Sequence, residues 1–417
     1  MISGTGWATA YAGRIARFKG AIGYITDSII ESPPVRTRVD VPDLVGYTGA
    51  IIENDGTSML AFGINHKQML TIKSILQNEP VKVYAKSKTV IGEGYLKVLT
   101  GTIEGTARKK EEVLVISHIC HSAPAANDNA SGSAMILELA RTLCDLIKAK
   151  KIPRPKRTIR FMWAPEWTGL MGYTHSNPNW PKKVVAILCC DMVGENQQLC
   201  GGPFYLEKTP DTLPSYVNDL AERYLELVPK GGKMYTQTGD VGLWKYQVVP
   251  FGGGSDHAPL ADPSFNVPGV QLGHWPDLFY HSSGDTVDKV DPAELEKAAW
   301  VAANVALEIA NAGLLEAEIL ASETTDRGLR RLGKYAHDYL RELIQVKPDK
   351  EYTSRLAKCL RNSLETLNHC ADIELEATWS SLSLVEHGEE AKLRPKITRL
   401  QQILLKRKSQ LENQLQE

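Results

Sequence analysis

Four apolar stretches in the middle of this chain each bring a histidine or an aspartate to their ends. Val-Leu-Val-Ile-Ser leads into Ser-His-Ile-Cys-His at 117–121, and Val-Val-Ala-Ile-Leu-Cys-Cys leads into Asp191 of Cys-Asp-Met-Val-Gly. Ala-Asn-Asp-Asn-Ala-Ser-Gly at 126–132 opens a long amphipathic stretch, and Tyr-His-Ser-Ser-Gly-Asp-Thr spans 280–286. In a protein that alternates strand and helix, such ends converge on one rim of the sheet. A rim carrying imidazoles and carboxylates suits a catalytic divalent metal, zinc above all. Ala-Pro-Glu-Trp-Thr-Gly at 164–169 adds Glu166, a carboxylate placed to act as a base.

The alternation runs from about residue 91 to 314. Strands are expected at Glu112–Ser117, Arg157–Ala164, Val184–Cys190 and Val267–Leu272. Helices are expected at Ser131–Lys148, Asp211–Leu227 and Asp291–Gly313, the last opened by Asp-Pro and closed by Gly. The fold class that follows is α/β, with a mixed, largely parallel sheet between helices.

Residues 1–90 read as a small α/β module. Its expected strands are 20–26, 58–64 and Val81–Ala85, with a short helix over Lys67–Leu76. Residues 315–417 lose the strand signal and turn rich in Leu, Glu, Lys, Arg and Gln. Helices are expected at 315–320, Arg330–Ile344, Glu351–Ala371 and Ile397–Leu415. In the last, Ile397, Leu400, Leu404, Leu411 and Leu415 form an apolar stripe. Such a region serves either as a cap on the sheet or as an arm for homo-oligomerisation.

Composition narrows the function classes. The net charge of −1 gives no field for nucleic acid or anionic membranes. No apolar run approaches the roughly 18 residues of a membrane span. Arg14, Arg17 and Lys19 interrupt any signal-peptide core. The seven cysteines have no framework spacing, and Cys189-Cys190 sit in a strand-like run, so a cytoplasmic setting is expected. There is no nucleotide-binding glycine loop and no serine nucleophile elbow.

The order and spacing of several pieces carry a resemblance. They are Val-Leu-Val-Ile-Ser-His, Asn-Asp-Asn-Ala-Ser-Gly, Pro-Glu-Trp-Thr-Gly-Leu-Met-Gly, Asp-Met-Val-Gly, Gly-Ser-Asp-His-Ala-Pro and Tyr-His-Ser-Ser-Gly-Asp-Thr-Val-Asp-Lys-Val. Through them residues 91–313 resemble the zinc aminopeptidases of the M28 clan, and look closest to a DUF4910-type branch. Residues 1–90 look like the clan's protease-associated module, with the chain beginning inside it. The resemblance implies one or two zinc ions and a peptide or small amide substrate. It implies His118 as the first metal-binding histidine, Asp128 as the carboxylate bridging two metals, and Glu166 as general base. It implies Asp191 and His281 as ligands of the other metal. Asp256 and His257 match a supporting motif near the site.

Two departures stand out. The family has a second acid where this chain has Trp167, and an indole cannot bind metal. The family also has His-x-Asp where this chain has His118-Ile119-Cys120-His121. His121 is a candidate for the missing ligand, and Cys120 a further donor. If neither compensates, the site holds one metal, or the protein binds metal without cleaving peptides and acts through its surfaces. Trp275 and Phe279, near His281, either line a substrate pocket or belong to the core.

Overall fold

The computed structural model describes residues 8–47, 59–90, 92–229, 244–347 and 351–417. In chain order it begins with α1 (Ala8–Phe18), β1 (Gly23–Thr26), β2 (Leu60–Gly63) and α2 (His66–Leu76). There follow β3 (Leu99–Ile103), β4 (Arg108–His118), α3 (Gly132–Lys148), β5 (Arg157–Ala164), α4 (Thr168–Ser176), β6 (Val184–Cys190) and α5 (Gln197–Cys200). Then come β7 (Phe204–Glu207), α6 (Tyr216–Glu226), β8 (Tyr246–Val249), β9 (Gly269–His274) and α7 (Pro292–Asn311). Three long helices close the chain: α8 (Leu314–Gln345), α9 (Tyr352–Ser380) and α10 (Glu390–Gln416).

The central sheet has seven strands in the order β3-β5-β4-β6-β9-β7-β8. β5, β4, β6 and β9 are mutually parallel, while β3 and β7 run antiparallel to β5 and β9. The parallel set is buried on both faces, which is why its strands read as continuous apolar runs. Their carboxyl ends lie on one rim. His118 ends β4, Glu166 follows β5 by two residues, and Asp191 directly follows β6. Chain order reverses about β4, where crossovers leave in both directions, so the crevice of an open α/β sheet opens there.

The core on one face packs α3, α6 and α7 against the strands, with Ile136, Leu139, Val301, Val305 and Phe161 buried. Leu393 and Ile397 of α10 enter the same core, so the last helices pack directly on the sheet domain. Farther out, α8, α9 and α10 share a separate core of Leu332, Leu367, Leu404, Leu411 and Leu415. Of the stripe expected on α10, Ile397 and Leu400 pack in the sheet-side core, and Leu404, Leu411 and Leu415 between the helices.

Some expectations are corrected. Val81–Ala85 is not a strand; it runs as open chain with Tyr84 exposed, because no strand among the described residues pairs with it. The helix expected from Asp211 starts at Tyr216. Pro214 forces extended backbone before it, and Ser215 caps it by accepting the Val217 N–H at 3.2 Å. The expected pieces 315–320 and Arg330–Ile344 are one helix. β9 starts two residues late, after Pro268, and β1 starts at Gly23. Residue 58 of the second expected strand lies outside the described residues.

The apolar patterning did not reveal β3, β7 or β8. All seven cysteines are free. Among the described residues no helix is long and apolar enough to cross a membrane.

Candidate metal centre

Asp128 is the hub of the rim. It sits in an irregular turn just before α3, and its backbone is fixed from outside the segment. Asp285 accepts the Asn127 N–H at 2.7 Å and the Asp128 N–H at 3.0 Å. Asn129 ties three elements together. Its amide donates to Ser117 Oγ at 3.0 Å and the Cys190 carbonyl at 3.1 Å, and its carbonyl accepts the Gly132 and Met192 N–H groups. Gly132 is required here, since a Cβ would lie 2.2 Å from the Cys190 carbonyl.

The two carboxylate oxygens of Asp128 face two sets of ligands. Oδ1 lies 3.3 Å from His118 Nε2, which in turn is 3.0 Å from Asp191 Oδ1. Oδ2 lies 3.0 Å from His121 Nε2 and 2.9 Å from His281 Nε2. Two trios result, His118–Asp128–Asp191 and His121–Asp128–His281. Within each, the donor atoms are all within 4.8 Å of one another. The expected pairing of Asp191 with His281 is not what the geometry brings together, because Asp191 leaves β6 on the His118 side of Asp128. Cys120 is near His118 and His121. Its sulfur is already engaged, accepting the Glu166 N–H at 3.0 Å.

This donor set fits a metal. Asp128 is 2% exposed, yet its Oδ1 receives no hydrogen bond. A buried carboxylate oxygen without a donor is costly, and a cation between the trio's atoms would satisfy it. Imidazole and carboxylate are the usual zinc ligands. The electrostatics agree. Burial alone would depress the His118 imidazole, but Asp191 and Asp128 beside it outweigh this and hold it well above the ordinary histidine range. Burial would raise the Asp128 carboxyl, yet the three imidazoles hold it well below the usual range. Burial, with His118 and His281 nearby, lowers His121 despite Asp128.

His281 is clamped between two rings. Tyr280 stacks on it at 3.7 Å and Tyr47 at 4.9 Å between centroids. Tyr47 Oη donates to the Ser122 carbonyl at 2.8 Å, and the Tyr47 N–H donates to the His281 carbonyl at 3.0 Å. The N-terminal region thus touches the candidate metal centre through Tyr47, a contact with no local signature.

Glu166 lies beside this cluster. Burial pushes its carboxyl up to about 8, with Asp191, Asp256 and Asp128 adding to the rise and His118 opposing it. The next residue, Trp167, has φ 55° and ψ −56°, and Thr168 N–H donates back to the Glu166 carbonyl at 2.5 Å. This is a γ-turn of the rare, strained kind. Asp256 holds it by accepting the Trp167 N–H at 2.7 Å. Positive φ also occurs at Met192 and at His281, so three strained positions border the centre. His257 turns elsewhere: its Nε2 lies 2.7 Å from Glu207 Oε1. Of the two aromatics considered for a pocket, Trp275 lines the one beside Asp191, and Phe279 is not among the residues lining it.

Residues 99–306 match the model of peptidase family M28. The chain carries a peptidase family M28 domain. A protein named probable leucine aminopeptidase, from Arthroderma otae, is 30% identical over 203 residues, which are 46% of this chain and 50% of that protein. The chain thus spans about half the length of that curated relative. Among solved structures, the zinc aminopeptidase BSAP from Bacillus subtilis is 20% identical, with a TM-score of 0.48 over 73% of this chain and 68% of that one. The aminopeptidase from Aneurinibacillus sp. strain AM-1 is 22% identical, with a TM-score of 0.43 over 74% of this chain and 68% of that one.

Proposed function

We propose that this M28 domain is a zinc-dependent aminopeptidase that removes N-terminal residues from peptides, with Glu166 as general base. The observation that supports it most is the pair of ligand trios sharing Asp128. A carboxylate placed between two such sets is suited to bridge two ions. His118, Asp128 and Asp191 would hold one zinc; His121, Asp128 and His281 would hold the other. His121 then takes the ligand place that Trp167 leaves vacant. This removes the main ground for a metal-binding protein without hydrolytic activity.

Bound zinc would polarise the scissile carbonyl and lower the pKa of water to about 7. The remaining work falls to the chain. Glu166 accepts the proton of the attacking water and returns it to the departing amine. Its raised carboxyl is suited to both halves of that transfer, and positive charge in the trios lowers it towards neutrality, as His118 already does. The γ-turn at Trp167, held by Asp256, fixes where the Glu166 side chain starts.

In this reading residues 91–314 form the catalytic domain, 1–90 a protease-associated-like module, and 315–417 a helical cap. The family branch is the DUF4910 type and the setting cytoplasmic. The test is an assay on the purified chain with amino-acid p-nitroanilides, after chelation and after zinc is restored. Zinc-restored cleavage of free-amino substrates, with none of their N-acetylated forms, is expected. Metal binding without cleavage of any amide would favour the non-hydrolytic reading instead.

A further inference from the structure

The pocket beside Asp191 is built from one face of the sheet's far half. Register places Tyr205 and Glu207 of β7 opposite Gly273 and Gln271 of β9, and beside Gln247 and Val249 of β8. Side chains alternate along a strand, so these residues share a face. The other face carries Phe204, Leu206, Val270 and Leu272 and is core. The pocket face encloses about 280 Å³, and Asp191, Met192, Trp275 and Tyr280 complete its walls toward the metal centre.

Two oxygens on this face have no donor. Gln271 is 3% exposed, and its Oε1 is buried without a hydrogen-bond partner. Glu207 is its cross-strand neighbour. Glu207 Oε1 is fully engaged by the Gly252 and Gly253 N–H groups, at 2.8 and 2.7 Å, and by His257 Nε2 at 2.7 Å. Its Oε2 has no donor among the described residues. Burial would raise this carboxyl, but His257 and the two glycine N–H groups hold it below the usual range. A fixed negative charge and an unpaired carbonyl therefore face the same space. The walls nearer Asp191 differ. Trp275 and Tyr280 meet edge to face at 4.9 Å, and Met192 and Val249 add apolar surface.

We propose that this pocket receives a cationic side chain, that of an N-terminal lysine or arginine, with its head group on Glu207 Oε2 and Gln271 Oε1. The inference rests on the aminopeptidase reading for the position of the substrate. The aliphatic stem of such a residue lies along Trp275, Tyr280 and Met192, while its charged end supplies the missing donors. A neutral side chain of equal length would leave the buried Gln271 Oε1 unpaired and bring no charge to Glu207, which is how a site built for a polar group rejects the analogue that lacks it.

The test compares lysine and norleucine p-nitroanilides on the full, zinc-loaded chain. Norleucine keeps the stem and removes the charge. We expect kcat/KM to favour lysine by about tenfold or more, and Glu207→Gln to reduce that ratio by about tenfold or more. Gln271→Met, which leaves the Glu207–His257 pair intact, should reduce it in the same direction. A wild-type ratio near one, or a ratio unmoved by both substitutions, overturns the proposal. Equal loss on both substrates, as when Glu207 holds the α-amino group, counts among those results.

Calorimetry with free L-arginine and L-norleucine separates this from the hydrolytic reading. If no amide is cleaved, tighter binding of arginine that weakens in Glu207→Gln still supports the pocket. Equal binding of the two overturns it.

Discussion

The Nε2 atoms of His121 and His281 stand 3.0 Å apart, and both lie within 3.0 Å of the same oxygen of Asp128. Two ring nitrogens that close need a cation or a shared proton between them, because two lone pairs facing each other repel. The nearby Asp128 carboxylate stabilises either. His121 lies in the turn after β4, and His281 lies 160 residues farther along the chain. In the proposed site their approach completes the second trio in place of an acid at position 167.

Glu166→Gln removes the base but keeps the shape of the side chain. Folding and zinc content should stay as in the parent, while kcat falls by about 100-fold or more. Thermal unfolding, metal analysis and turnover on the same preparation check this. Near-parent turnover would show that Glu166 is not the base.

In the proposed mechanism Asp256 acts through the Trp167 N–H, as a positioning residue. Asp256→Ala should free the γ-turn and lower kcat by about tenfold with little change in KM, because the base shifts rather than the substrate. Asp256→Asn keeps an acceptor oxygen and should recover much of the loss. An equal defect in both variants would point to the buried charge of Asp256 instead of its hydrogen bond.

Arg331 of α8 joins the sheet domain to the helical region. It pairs with Asp219 of α6 at 2.5 Å and with Glu374 of α9 at 2.6 Å. Both carboxylates are nearly fully buried. Arg331→Met strands them, and a loss of about 3–5 kcal/mol is expected. Arg330→Met breaks only the exposed pair with Asp326, worth about 0–1 kcal/mol. Urea unfolding of the two variants side by side checks the contrast.

The parallel strands β4, β5 and β6 were legible because burial on both faces turns them into unbroken apolar runs. The residues at their ends, His118, Glu166 and Asp191, came with them. β7 and β8 were not legible, since four residues with a polar pocket face show no run and little alternation. Nor did local sequence reveal Asp285, Asn129 or Tyr47. Each acts on a segment distant in the chain, and an aspartate, an asparagine or a tyrosine in a loop looks alike whether it braces a buried cluster or faces water. Position 167 showed what the chain lacks. That His121 stands beside His281 depended on a turn between residues 118 and 121 and on contacts spanning 160 residues.

The central claim is that Asp128 is shared by two ligand trios and that His121 completes one of them. Calorimetric titration of the chelated protein with zinc, for the parent and for His121→Ala, tests it most directly. We expect two equivalents in the parent. In His121→Ala one should weaken by about 100-fold or more, since even groups that merely support a ligand are worth 10–100-fold. Exposed His337→Ala should leave both unchanged. Two equivalents that His121→Ala does not weaken, or a single equivalent in the parent, would contradict the account.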